Sequence, residues 1–212
     1  MSSGNANPLR FMASEESSIG IYEFLARWFP ATGTLLDVGC GSGGFLSFAS
    51  ASGLAATGVD LDGGNVAACA ARSLEAVQED AVSFLTRQAH GFDVVSMIHF
   101  VEHFYPSDAA NLFEAAVASL APGGRLLIVT PNYADPTVSG NIFWLDPTHV
   151  RPYPPALLRD LCASSGLVTL HVSNQVLVNL GRRRALVRPW QRLRFGREYE
   201  RPNTVVVAEL PR

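Results

Sequence analysis

Leu35-Leu36-Asp37-Val38-Gly39-Cys40-Gly41-Ser42-Gly43 decides the fold: an apolar run breaks into a glycine-rich turn beside an acid. Leu35 to Val38 read as a buried parallel strand. Gly39, Gly41 and Gly43 remove the Cβ atoms that would stop the chain from turning sharply and approaching a ligand. Gly44-Phe45-Leu46-Ser47-Phe48 then opens a helix whose free N–H groups point at the bound molecule. Such a backbone suits a nucleoside.

The neighbouring acids choose among nucleosides. Gly39, Gly41 and Gly44 also satisfy the G-x-G-x-x-G spacing of dinucleotide sites, with Asp60 as the acid ending a second strand. Asp37, however, would repel a pyrophosphate and suits the positively charged amino acid part of S-adenosylmethionine. Asp60, in Gly58-Val59-Asp60-Leu61-Asp62, can accept from both ribose hydroxyls while Leu61 packs on the adenine. Asp80, in Gln78-Glu79-Asp80-Ala81, ends a third strand and can accept from the adenine amino group.

With the three acids and the glycine turn in this order, the chain resembles the class I S-adenosylmethionine-dependent methyltransferases from about residue 35 onward. Phe92-Asp93-Val94-Val95-Ser96-Met97-Ile98 looks like the family's fourth strand. Leu120-Ala121-Pro122-Gly123-Gly124-Arg125-Leu126-Leu127-Ile128-Val129 looks like its helix-turn-fifth-strand passage. The resemblance implies an α/β fold: a Rossmann-like seven-stranded sheet with helices on both faces and the last two strands an antiparallel pair. It implies S-adenosylmethionine as cofactor, held by Asp37, Gly39, Cys40, Gly41, Gly43, Asp60, Leu61, Asp80, Ala81 and Ile98.

At 212 residues and 48% hydrophobic composition the chain fits one α/β domain. Residues 1–34 are expected to form a leader and a helix, and 35–212 a single methyltransferase domain. The alternation of patterns predicts strands near 35–38, 55–60, 75–79, 92–98 and 125–130, and helices near 44–52, 63–72, 81–89, 107–120 and 154–165. Leu167 to Leu177 and Thr204 to Leu210 are the closing antiparallel pair. Ser14 to Phe29 reads as an amphipathic helix with Ser14 as N-cap, Glu15 and Glu16 in its first turn, and Ile21, Leu25 and Trp28 on one face. In the family a leading helix often covers the ligand cleft; a helix capping the sheet edge would satisfy the same pattern. No run of about eighteen apolar residues exists, and the polar start lacks the apolar core of a signal peptide, so the cytoplasm is expected. Cys40, Cys69 and Cys162 read as reduced thiols without a zinc pattern.

In open α/β sheets ligands bind outside the carboxyl ends of the strands. After the fourth strand comes His99-Phe100-Val101-Glu102-His103-Phe104-Tyr105-Pro106, whose Glu-His pair resembles that of methyltransferases of the ubiquinone-biosynthesis type. The Asn/Asp-Pro-Pro-Tyr/Phe sequence of enzymes that methylate nucleic acid bases is missing there. Residues 133–153 are too long for an ordinary connection and read as a lid. Within them, Asp146-Pro147-Thr148-His149-Val150-Arg151-Pro152 resembles a passage of bacterial methyltransferases associated with polysaccharide and lipid-linked glycan assembly. A hydroxyl acceptor gains from a base, and His149, with His103 as alternate, is the catalytic candidate because both lie on ligand-end loops. Glu102, His103, Asp146 and His149 could gather a divalent metal, but their spacing carries no ligand signature and no metal is expected. His90 and His171 read as structural.

Every basic residue is arginine, and eight of the 16 fall between Arg182 and Arg201 of a chain with net charge −3. Leu186, Trp190, Leu193 and Phe195 interleave with them, as in an interfacial helix on anionic lipid. A solvated connector has the same pattern, while the negative overall charge argues against nucleic acid. The function expected is O-methylation of a sugar or lipid-linked glycan, peripheral to the inner membrane face. The alternatives are a small aromatic or quinone precursor as acceptor, or an inactive cofactor-binding scaffold.

Overall fold

The computed structural model describes residues 15–175 and 203–212. Ser14, expected as an N-cap, and the arginine-rich stretch 181–201 lie outside the described residues.

Five apolar segments pair side by side as parallel strands: β1 Thr34–Val38, β2 Ala55–Asp60, β3 Glu75–Gln78, β4 Phe92–Ile98 and β5 Leu120–Pro131. The antiparallel β6 Val168–Gln175 and β7 Asn203–Glu209 close the sheet in the order β3-β2-β1-β4-β5-β7-β6. The order reverses between β1 and β4, which opens a crevice at their carboxyl ends.

Alternation along each strand divides the core. Leu36, Val95, Met97, Leu126, Ile128 and Val206 face one side, under α4 Ala81–Arg87, α5 Pro106–Ser119 and α7 Pro155–Ser164. Leu35, Val94, Leu127, Val129, Val205 and Val207 face the other, under α1 Glu15–Leu25 and α2 Gly44–Ala51. The remaining helices are α3 Gly63–Ala71, between β2 and β3, and the short α6 Pro136–Gly140 in the lid region.

Helix α1 sends Ile21 and Leu25 into the second of these clusters, and a 3-10 turn, Ala26–Trp28, continues it. Phe24 and Trp28 pack on the ring of His171 in edge strand β6. The described part of α1 is therefore scaffold, covering a sheet face and reaching its edge. Strand β5 starts earlier than the expected residue 125, because Leu120 already pairs with Phe92. The register then shifts across Ala121-Pro122-Gly123-Gly124, where Gly123 takes φ +81° and its N–H donates to the Leu210 carbonyl at 2.9 Å.

Candidate active site

The glycine turn leaves β1 with its N–H groups already engaged. Gly39 and Cys40 donate to the Val59 carbonyl at 2.8 and 3.1 Å. All three glycines have positive φ, but each is required for a different reason. A Cβ on Gly39 would fall 2.3 Å from the Phe100 ring, and one on Gly43 would fall 2.7 Å from Leu74 Cδ1 and 2.9 Å from Cys69 Sγ. Only the missing Cβ of Gly41 faces open space. The positive φ values make the sharp turn expected of all three, while the missing Cβ atoms of Gly39 and Gly43 also clear room for the protein's own side chains. The Cys40 thiol turns inward to a small cluster with Leu46 and Cys69, so its backbone alone is left for a ligand. All three cysteines are buried free thiols.

Three acids surround the turn. Asp37 is buried and accepts a 2.8 Å hydrogen bond from the Ser96 hydroxyl. Burial pushes its carboxyl up to about 7; the Ser96 bond pulls it down, and repulsion from Asp60 adds to the rise. A carboxylate buried with a neutral hydroxyl as its donor lacks charge compensation, and an incoming ammonium supplies it. Asp60 is fixed by three donors: the Gly41 N–H at 2.8 Å, the Asp62 N–H at 2.9 Å and the Asn65 amide at 3.1 Å. Leu61 beside it is 71% exposed, an apolar surface awaiting a partner. Asp80 uses Oδ1 to cap α4 through the Ser83 N–H at 2.9 Å, so it is a helix cap before it is a ligand group. Ala81 and Ile98 pack into the core clusters of opposite sheet faces.

These features fit S-adenosylmethionine. Asp37 would meet its ammonium, Gly41 its close backbone approach, Asp60 its ribose and Leu61 its adenine.

A second constellation lies past β4, joined to the first by Phe100, whose ring covers Gly39. His99 takes φ +53°, and the chain then forms a 3-10 turn, Val101–His103. Glu102 is fully buried there, and its Oε2 accepts from the Thr130 hydroxyl at 3.0 Å. Its backbone carbonyl accepts from the N–H groups of Val150 at 2.9 Å and Arg151 at 3.3 Å, which ties residues 133–153 to the β4 loop.

The two histidines meet across this tie, with ring centroids 4.9 Å apart. His103 Nδ1 lies 3.2 Å from the Thr148 carbonyl oxygen, and His149 Nδ1 lies 2.6 Å from that of Phe143. A carbonyl only accepts, so both rings donate through Nδ1–H, and a neutral ring then has its lone pair on Nε2. Asp146 Oδ2 stands 3.9 Å from His149 Nε2. Burial raises the Asp146 carboxyl, but bonds from the Thr148 hydroxyl and N–H, with His149 nearby, hold it below its ordinary range.

Aromatic rings line the lid. Buried Phe143 contacts Tyr133, Trp144 and His149 at centroid distances of 5.4, 4.8 and 4.5 Å, leaving Tyr133 and Trp144 exposed. Sequence reading missed the residues that orient these groups: Ser96 under Asp37, Thr130 under Glu102, and Thr148 and Phe143 behind the histidines. Ser96 and Thr130 leave a trace as lone hydroxyls in apolar strands, Val94-Val95-Ser96-Met97 and Leu127-Ile128-Val129-Thr130. A backbone carbonyl such as that of Phe143 leaves none.

The strand order with an antiparallel final pair, and a glycine-turn cradle at the β1/β4 crevice, define a Rossmann-like methyltransferase fold. A family model described as a methyltransferase domain matches residues 13–172, and the chain belongs to that family. Its fold is similar to a methyltransferase from Archaeoglobus fulgidus (TM-score 0.74, 22% identity, 91% of this chain and 94% of that one). It is also similar to the 1,6-didemethyltoxoflavin-N1-methyltransferase of Burkholderia thailandensis (TM-score 0.67, 17% identity, 94% and 80%). In sequence it is 37% identical over 114 residues to the ubiquinone biosynthesis O-methyltransferase of Xanthomonas axonopodis pv. citri, covering 50% of this chain and 46% of that protein. The enzyme of the same name from Citrobacter koseri is 28% identical over 132 residues, 59% of this chain and 50% of that one. The chain spans about half the length of these curated relatives.

Proposed function

We propose that this chain transfers the methyl group of S-adenosylmethionine to the hydroxyl of a small aromatic acceptor, a phenol or quinone precursor. The observation that carries this reading is the histidine pair with free Nε2 atoms beside buried Glu102, under an aromatic lid, at the strand end next to the cofactor cradle. Exposed Tyr133 and Trp144 suit a flat ring, which packs on aromatic faces. The names of the sequence relatives support this acceptor over the sugar or lipid-linked glycan expected from the Asp146–Pro152 passage.

When bound, the cofactor supplies an electrophilic methyl group on a sulfonium, a good leaving group already in place. The protein's own work is alignment and proton management. Phe100 keeps the acceptor loop against the glycine turn, and the bonds from Val150 and Arg151 to Glu102 hold the lid over it. His149, oriented by the Phe143 carbonyl, accepts the hydroxyl proton, with His103 beside it.

Transfer of labelled methyl from S-adenosylmethionine to a panel of phenols, catechols and sugars tests this. Phenolic products are expected, with His149→Ala lowering kcat ~10²–10⁴-fold at unchanged cofactor affinity. Methylated sugars without methylated phenols would restore the glycan reading. Binding of S-adenosylhomocysteine without any transfer would favour an inactive scaffold.

A further inference from the structure

We propose that Glu102, His103 and His149 bind a divalent transition-metal cation of the zinc or manganese kind, which clamps the lid onto the β4 loop. One donor atom from each of the three lies within 4.8 Å of the others. Donors sharing one tetrahedral ion at about 2.0–2.2 Å stand roughly 3.3–3.6 Å apart, so side-chain rotations that bring them together by about 1 Å complete the set.

Two further features point to a cation. Both imidazoles donate through Nδ1–H, His149 to the Phe143 carbonyl and His103 to the carbonyl and hydroxyl oxygens of Thr148, the orientation that metal-bound histidines use to present a fixed and more basic Nε2. Glu102, fully buried, has Oε2 engaged by Thr130 while Oε1 has no hydrogen-bond partner. His99 Nδ1 stands 3.4 Å from that oxygen, on a side chain 42% exposed. A buried carboxylate with one unsatisfied oxygen is costly, and a cation answers the missing hydrogen bond and the charge together.

The donor set chooses the metal. Two imidazoles and one carboxylate suit zinc, manganese and their neighbours, whereas magnesium and calcium prefer oxygen ligands. Three protein ligands leave positions open, as catalytic sites do. Asp146 Oδ2, 3.9 Å from His149 Nε2, stands beside the set.

The cation site stands on this geometry alone; its use by the acceptor rests on the function proposed above. A nitrogen bound to a cation cannot accept a proton, so in the loaded protein the hydroxyl would be activated by polarisation instead of by His149 as base.

Calorimetric titration of chelator-treated full-length protein with Zn²⁺, Mn²⁺ and Mg²⁺, each alone, tests the site without an acceptor. One equivalent of Zn²⁺ and of Mn²⁺ should bind, and Mg²⁺ much more weakly. His149→Ala and Glu102→Gln should each weaken Zn²⁺ binding by more than about 100-fold, beyond the ~10–100-fold typical of an outer-shell partner. His99→Ala should leave it in place. S-adenosylhomocysteine binding by each variant reports an intact fold, and His149→Ala, at a half-buried lid position, serves if Glu102→Gln does not fold. A protein that binds S-adenosylhomocysteine but no cation overturns the proposal while leaving the methyltransferase reading untouched. Loss of Zn²⁺ in His99→Ala but not in His149→Ala overturns it too, since the site would then lack a lid ligand.

Discussion

Asp37 sets stability against function. Its carboxyl is 3% exposed, and burial raises it to about 7. Between its ordinary value of 3.8 and about 7, the folded chain therefore binds more protons here than the unfolded chain, and stability without ligand falls as pH rises through that window. An ammonium partner needs the ionised form, so affinity for S-adenosylhomocysteine is expected to drop about tenfold for each pH unit below 7. Calorimetry from pH 5.5 to 8.5 checks this, and a flat profile would refute it. Asp37→Asn should move the two properties in opposite directions: ligand binding lost at all pH values, thermal stability of the free protein at pH 8 raised by ~1–3 kcal/mol. Other residues at this scale were only half legible. The glycine spacing identifies the turn, but which glycine faces the ligand depends on Phe100, Leu74 and Cys69, side chains far along the chain.

Among the elements, the strands read most clearly from sequence, because a buried parallel strand is a continuous apolar run and needs only its own residues to declare itself. The lid reads least clearly. Its length and aromatics mark it as ordered, yet the short helix α6 and the 3-10 turn Ile142–Leu145 follow no periodic pattern. Their geometry is fixed from outside, by the carbonyl of Glu102 holding Val150 and Arg151, and by the buried Tyr153 hydroxyl donating to the Phe104 carbonyl at 2.8 Å. Trp144 rests on Phe143 and is 54% exposed, so it contributes little to the core. Trp144→Ala is expected to raise the acceptor KM by about tenfold, the worth of one aromatic contact, with the melting temperature and cofactor affinity nearly unchanged. Steady-state kinetics on the aromatic acceptor, beside a thermal melt, would show it; a large loss of melting temperature would make Trp144 structural instead.

For the whole molecule, charge is distributed more unevenly than the net −3 indicates, with eight arginines between Arg182 and Arg201. Among the described residues no helix is long and apolar enough to cross a membrane. Binding to anionic vesicles is expected, at ~1 kcal/mol per engaged arginine, weakening as salt rises. Sedimentation with neutral and anionic vesicles, using wild type and Arg182/Arg183/Arg184→Ser, measures it; equal, negligible binding in all cases would remove the membrane from the account. The sequence by itself determined the strand order's raw material, the cofactor turn and the acids at the strand ends, because these depend on local periodicity and on spacings of a few residues. Only the tertiary structure decided which groups act together. Glu102 and His149 are 47 positions apart, and Asp37 and Ser96 are 59 apart. They meet because β1, β4 and β5 are neighbours in the sheet, and side chains so distant in sequence share no local pattern that could announce the contact.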